Sequence, residues 1–235
     1  MPKTAHADHP GPSGRTRREP LSRERVLAAA TAIADRDGLE ALTMRGLART
    51  LGVEPMSLYH YATGRDEIVD AIVDRVVEEI ALPADEADWK AAIRASAISA
   101  HEVLRRHSWA CNPLMSAPRI SEARLRQIDA LLARLEEAAL PADLADLAYH
   151  ALDSHILGFT LWQAGYTRGF EQLPEGGVEA FLQNIHIENF PHLGAHAAFH
   201  LKPRVAGGPT AFEFGLDLIL DGVERMRDAG NVSPA

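Results

Sequence analysis

Arg45, Ser57, Tyr59 and His60 bring hydrogen-bonding side chains close together in the sequence. The types suit recognition better than catalysis. A serine hydroxyl donates or accepts at a base edge or phosphate, a tyrosine donates to phosphate, and a histidine donates from either ring nitrogen according to tautomer. Pro55 and Met56, beside them, can touch a thymine methyl. Farther along, His192, His196 and His200 recur every four residues, a spacing that on one continuous helix could ligate Zn²⁺ or Ni²⁺. Pro191, Gly194 and Pro203 weaken that helix and no carboxylate stands ready to orient the rings, so a surface or loop-edge cluster is favoured and no metal is expected. The chain has no Gly-x-Ser-x-Gly, Walker Gly-Lys-Ser/Thr, Gly-x-Gly-x-x-Gly or His-Glu-x-x-His, so no catalytic residues and no cofactor are expected.

These residues need elements to position them. From Ser22, Val26, Leu27, Ala30, Ile33 and Ala34 form one apolar stripe with helical period, and Gly38 supplies a stop. Thr43 can cap a short second helix carrying Leu47, Ala48 and Leu51, which ends at Gly52. Pro55 then suits the first turn of a third short helix, with Met56 to Tyr61. Two short helices joined by a Gly-containing turn are a helix-turn-helix signature. Leu58 should pack inward with Tyr61 at the domain edge, leaving Pro55, Met56, Ser57, Tyr59 and His60 outward. Thr63-Gly64-Arg65-Asp66 reads as the cap of a long helix striped by Ile68, Val69, Ile72, Val73, Val76, Val77 and Ile80. Further helices are expected at about Ala87–His107, Cys111–Ala117, Ser121–Ala139, Ala142–Tyr166, Val178–Asn189 and Thr210–Asp228, with Gly165–Gly177 and Phe190–Pro209 looser. No strand pattern survives, and the fold class is all-α.

Composition sets the frame. The 235 residues are 46% hydrophobic and 24% charged, a globular balance. No run approaches the roughly 18 apolar residues of a membrane span, and the N-terminus lacks a signal peptide's apolar core, so a cytoplasmic chain with no membrane partner is expected. Cys111 is the single cysteine and cannot form an internal disulfide. The net charge of −9 argues against a DNA partner until it is divided: residues 1–65 hold ten Lys and Arg against seven Asp and Glu, the remainder fourteen against twenty-six. The polarity suggests a DNA-facing end and a body that repels DNA. Residues 1–20 read as a flexible basic arm whose Arg17 and Arg18, with Arg15, either solubilise the chain or reach phosphates and a minor groove.

The run Leu42-Thr43-Met44-Arg45-Gly46-Leu47-Ala48-Arg49-Thr50-Leu51-Gly52-Val53-Glu54-Pro55-Met56-Ser57-Leu58-Tyr59-His60-Tyr61, followed by Arg65-Asp66-Glu67-Ile68, resembles the DNA-binding domain of TetR-family transcriptional repressors. The run from Phe212 to Glu224 looks like the last helix of the tetracycline-repressor-like subgroup. The resemblance implies a DNA-binding domain at 21–66, a connector helix to about 81, and an effector-binding and dimerisation domain at 82–235. It implies DNA contacts at Arg45, Pro55, Met56, Ser57, Tyr59, His60 and Tyr61, with Arg65 in the place of a phosphate-binding lysine. It also implies a homodimer that reads a palindromic double-stranded operator and answers to a small-molecule effector.

For the dimer, Phe212, Leu216, Leu218, Ile219, Leu220 and Val223 make the last helix apolar on more than one side, and Leu152 and Ile156 do the same for the helix before Tyr166. An internal core position is the competing reading for each. For the effector, Trp109, Met115, Phe159, Trp162 and Tyr166 offer soft lining, while His107, His155 and Gln163 offer polarity. Each of these is more commonly core than ligand contact. His107 matches the magnesium-binding histidine of tetracycline repressors. Ala81 stands where their drug-binding histidine should be, and Trp162 replaces the acidic partner near the metal, so tetracycline with Mg²⁺ is rejected as effector. The alternative is a helical ligand-binding or metal-sensing protein whose helix-turn-helix is not used for DNA.

Overall fold

The computed structural model describes residues 20–84, 88–116, 120–171, 177–200, 208 and 210–230; Arg17 and Arg18 lie outside them. Eleven α-helices appear among the described residues, and no strand. The first four are α1 (Arg23–Asp37), α2 (Met44–Leu51), α3 (Pro55–Leu58) and α4 (Arg65–Glu78). Next come α5 (Trp89–Arg106), α6 (Cys111–Ser116), α7 (Glu122–Glu137) and α8 (Ala142–Glu171). The last three are α9 (Gly177–Asn184), α10 (Pro191–His200) and α11 (Ala211–Gly230).

Local chemistry sets the first boundaries. Ser22 caps α1 by accepting from the Arg25 amide, and Gly38 ends the helix at φ 82°. Thr43 caps α2 by accepting from the Gly46 amide at 3.0 Å. A Cβ on Gly46 would come within 2.9 Å of Thr43 Oγ1, so the cap requires a glycine there. Gly52 closes α2 in the left-handed region, a conformation that costs glycine nothing. At the start of α4, Glu67 rather than Asp66 folds back, accepting from the amide and hydroxyl of Thr63.

Two apolar clusters hold the chain together. One joins Ile33, Leu47, Leu58, Ile68 and Ile72 of the N-terminal helices to Val76 and Ile80, and continues to Val103, Leu104, Trp109 and Cys111. The second gathers Ile93, Leu135, Leu144, Leu152, Phe212, Leu216 and Leu220, where α5, α7, α8 and α11 meet. A ladder of ion pairs fixes α5 along α11. Lys90 bridges Asp221 and Glu224, each at 2.6 Å, and Arg94 one turn later reaches Glu213 and Asp217.

Four helix boundaries differ from the sequence pattern, the first at α3, which ends at Leu58 rather than Tyr61. Helix α8 continues through Gly165 and Gly169 to Glu171, because each glycine weakens a helix by only about 1 kcal/mol, and Tyr166 stacks on Trp162 one turn earlier at 5.4 Å. The expected helix to Asn189 breaks after Asn184, with His186 at φ 49° before a short 3₁₀ turn at Ile187–Asn189. The stretch expected to be loose forms α10, with Pro191 at its first position, where a missing amide costs nothing.

Candidate functional site

The helix-turn-helix presents one polar face. Leu47, Ala48 and Leu58 are buried, which turns Arg45 and Arg49 of α2 and the short α3 outward. Met56 is 73% and Tyr59 48% exposed, His60 is exposed, and Pro55 and Ser57 are half-buried. Among the described residues Arg45 has no ion pair, so its five N–H donors are available. Two residues of the expected face have other work. The Tyr61 hydroxyl donates to the Leu21 carbonyl at 2.7 Å, tying the end of the motif to the segment before α1. The Arg65 guanidinium donates to the carbonyls of Leu42 and Leu39 at 2.8 and 2.9 Å, and so clamps the start of α4 to the α1–α2 connection.

Helix α4 leads from this face to a cavity of about 420 Å³ in the body. Asp70, Val73 and Asp74 of α4 form one side, and Arg124, Tyr149 and Asp153 of α7 and α8 the other. A narrower apolar recess of about 50 Å³ continues inward past Leu104, Leu131 and Ile156. Arg124 is committed to Asp153 as a largely buried ion pair. Burial and then the Asp153 charge push the Tyr149 phenol up, so it stays a neutral hydroxyl.

The structure brings together none of the eight residues expected to hold the effector in these two joined pockets. His107 and Trp109 sit where the head meets the body, both on Asp35 of α1 at 2.7 Å, with the far His107 nitrogen 3.7 Å from Glu79. His155 donates to the Phe212 carbonyl and stacks on the Phe212 ring at 4.9 Å, with His101 stacked on the other side at 4.0 Å. Phe159 meets this stack edge-on. Gln163 Oε1 is buried without a hydrogen-bond partner among the described residues. Met115, Trp162 and Tyr166 are exposed. Aromatic composition named plausible lining, but where each helix face points is a property of packing. The residues that do line the cavity, Asp74, Arg124, Tyr149 and Asp153, carried no motif.

The same geometry redistributes the expected dimer residues. Leu152, Phe212, Leu216, Leu220 and Val223 are buried within the protomer, and Ile156 and Ile219 pack against the core. The outer faces of α8 and α11 instead expose Leu147, Trp162, Phe214 and Leu218. Phe214 and Leu218 lie one turn apart, more than half exposed. Burial in solution for that stripe requires another surface.

Two remaining sequence candidates are placed plainly. Cys111 is fully buried and burial pushes its thiol up to about 11, which leaves it unreactive. His192 and His196 sit exposed on α10, the His200 side chain lies outside the described ones, and no group of three metal-ligating residues occurs among the described residues. None of the described helices is long and apolar enough to cross a membrane.

Comparison with known proteins bears on both halves. Residues 26–72 match the family model of bacterial regulatory proteins, tetR family, and residues 82–227 that of the tetracyclin repressor-like C-terminal domain. The chain is 30% identical over 214 residues to the HTH-type transcriptional repressor DrrR1 of Streptomyces coeruleorubidus, covering 87% of this chain and 77% of that protein. It is 28% identical over 211 residues to the class C tetracycline repressor protein of Escherichia coli, covering 88% and 92%. A solved structure of a possible TetR family transcriptional regulator from Streptomyces coelicolor A3(2) superposes with a TM-score of 0.72 at 26% identity, covering 88% of this chain and all of that one.

Proposed function

The chain belongs to the TetR family of bacterial transcriptional regulators, and from that premise we propose that it is a dimeric repressor released from a palindromic operator by a small molecule held between α4, α7 and α8. The observation that carries this reading is the continuous α4. It starts at the Arg65 clamp beside the helix-turn-helix and forms one wall of the cavity at Asp70 and Asp74. A ligand that moves this wall moves the head with it. Residues 21–66 act as the DNA-binding head and residues 82–235 as the sensing and dimerisation body, acting in the cytoplasm by binding rather than turnover. Arg45, Pro55, Met56, Ser57, Tyr59 and His60 are the contact set. Arg65 and Tyr61 hold that set in place through backbone carbonyls.

Paired heads read half-sites about 34–36 Å apart, and a ligand that favours another separation weakens binding. A 100-fold release needs about 2.7 kcal/mol of coupling, within the usual allosteric range. The dimer forms through the stripe exposed on α8 and α11. The test is fluorescence anisotropy on DNA upstream of the coding region, for the native chain and Arg45→Ala across a salt series. Specific, salt-sensitive binding that weakens by about 1–3 kcal/mol in the variant supports the reading. Equal affinity of both proteins for that DNA and for a scrambled duplex overturns it.

A further inference from the structure

The walls of the cavity divide by chemistry. On the inner side the polar groups are spent on the backbone that follows α4: Ser96 Oγ donates to the Ala81 carbonyl at 2.7 Å and Gln127 Nε2 to the Ile80 carbonyl at 2.9 Å. The recess beyond them is lined mainly by aliphatic side chains, with Arg124, Tyr149 and Asp153 at the end it shares with the wider cavity. At the outer side the only cation among the described lining residues, Arg124, is already neutralised by Asp153. Asp70 is also engaged. Asp74 is different: half-buried on the cavity wall, it makes no ion pair among the described residues. Asp74 shares the cavity with the apolar Val73, Leu114, Ile120 and Ile128, a combination that suits a cation carrying its own apolar body. An anionic ligand would meet that carboxylate with no free positive charge opposite it among the described lining residues.

We propose that the cavity takes an apolar ligand bearing a protonated amine, its hydrophobic part against Val73, Leu114 and Ile128 and its ammonium on Asp74. This rests on the reading of the cavity as the effector site. It assigns the ligand's charge to the wall that moves, because Asp74 belongs to α4 while the Arg124–Asp153 pair opposite belongs to α7 and α8.

The test uses three probes that share one body: 4-(2-naphthyl)butylamine, the corresponding alcohol, and 4-(2-naphthyl)butanoate. Each is titrated by naphthalene fluorescence into the full chain at pH 7, native, Asp74→Asn and Asp153→Asn, with circular-dichroism melting as the check on folding. The amine should bind at least tenfold more tightly than the butanoate, about 1.4 kcal/mol. Asp74→Asn should remove most of that preference and change alcohol binding less than twofold. Asp153→Asn frees Arg124 and should shift the preference toward the butanoate. Butanoate binding as tight as the amine, a preference that survives Asp74→Asn in a folded variant, or no amine binding up to millimolar concentration overturns the proposal. Operator anisotropy run in parallel separates the two readings. Specific DNA binding with no amine preference removes the ligand class alone, whereas loss of specific DNA binding in the native chain removes the regulator reading.

Discussion

The Thr43 hydroxyl serves the head in a way that can be measured. It satisfies the Gly46 amide at the start of α2. Thr43→Ala should destabilise the protein by about 1 kcal/mol in urea unfolding, the usual value of an N-cap. A midpoint unchanged from the native chain would show that solvent replaces the cap without loss. Gly215 is under similar steric control, since a Cβ there would lie 2.5 Å from His155 Cε1. Gly215→Ala must displace the imidazole from the Phe212 carbonyl, and a loss of about 1–3 kcal/mol is expected from overpacking. His101 on the opposite side of Phe212 gives a pH dependence. Burial first, then Arg105 and His155, hold its imidazole below the usual histidine range. Its folded pKa is therefore depressed below the unfolded value of about 6.5. Well above that value both states are neutral and nothing is lost. As pH falls below it, the unfolded chain binds a proton first and stability declines until the depressed folded pKa is passed. Urea unfolding at pH 7.5 and 5.5 should show this decline, and His101→Gln should reduce it; an equal decline in the variant would assign the effect elsewhere.

Among the elements, α1 and the turn after α5 meet at Asp35, which accepts from His107 and from Trp109. Trp109 is buried, so Asp35→Ala leaves an indole N–H without its acceptor, at a cost of about 1–3 kcal/mol. The same variant should loosen the head against the body, read as faster amide exchange in α1 with α11 unchanged. Protection equal in both proteins would place the coupling in the shared apolar cluster alone. The ladder between α5 and α11 is partly exposed, and its value should depend on salt. Arg94→Ala should lower the melting temperature more at 10 mM than at 1 M NaCl. The elements themselves were largely legible in sequence: the stripe from Val26 to Ala34 and the glycines at 38 and 52 encode α1 and α2 locally. The persistence of α8 through Gly165 was not, because a glycine lowers helix propensity without by itself ending a helix.

At the scale of the molecule, two unlike faces must work together. The head presents Arg45 outward on its polar face while the body exposes an apolar stripe on α8 and α11. Leu218→Glu, at a position 55% exposed in the protomer, should leave the fold intact and abolish the dimer in sedimentation. Operator affinity should fall at the same time, since a single head loses the second half-site. A dimer of native strength in Leu218→Glu would move the interface to another surface.

The sequence alone determined what is written in short-range order: the caps, the Gly52 turn, the helical periods, and the family resemblance carried by Leu42 to Tyr61. These depend on neighbours within a few residues, where backbone chemistry acts directly. Only the tertiary structure decided the direction of each face. A helix apolar on several sides, such as α11, can bury any of them, and the choice of Phe212, Leu216 and Leu220 for the core leaves Phe214 and Leu218 outside. For the same reason Arg65 and His107 hold internal partners, while the cavity falls to Asp74, Arg124 and Tyr149, three residues from three helices with no sequence spacing in common.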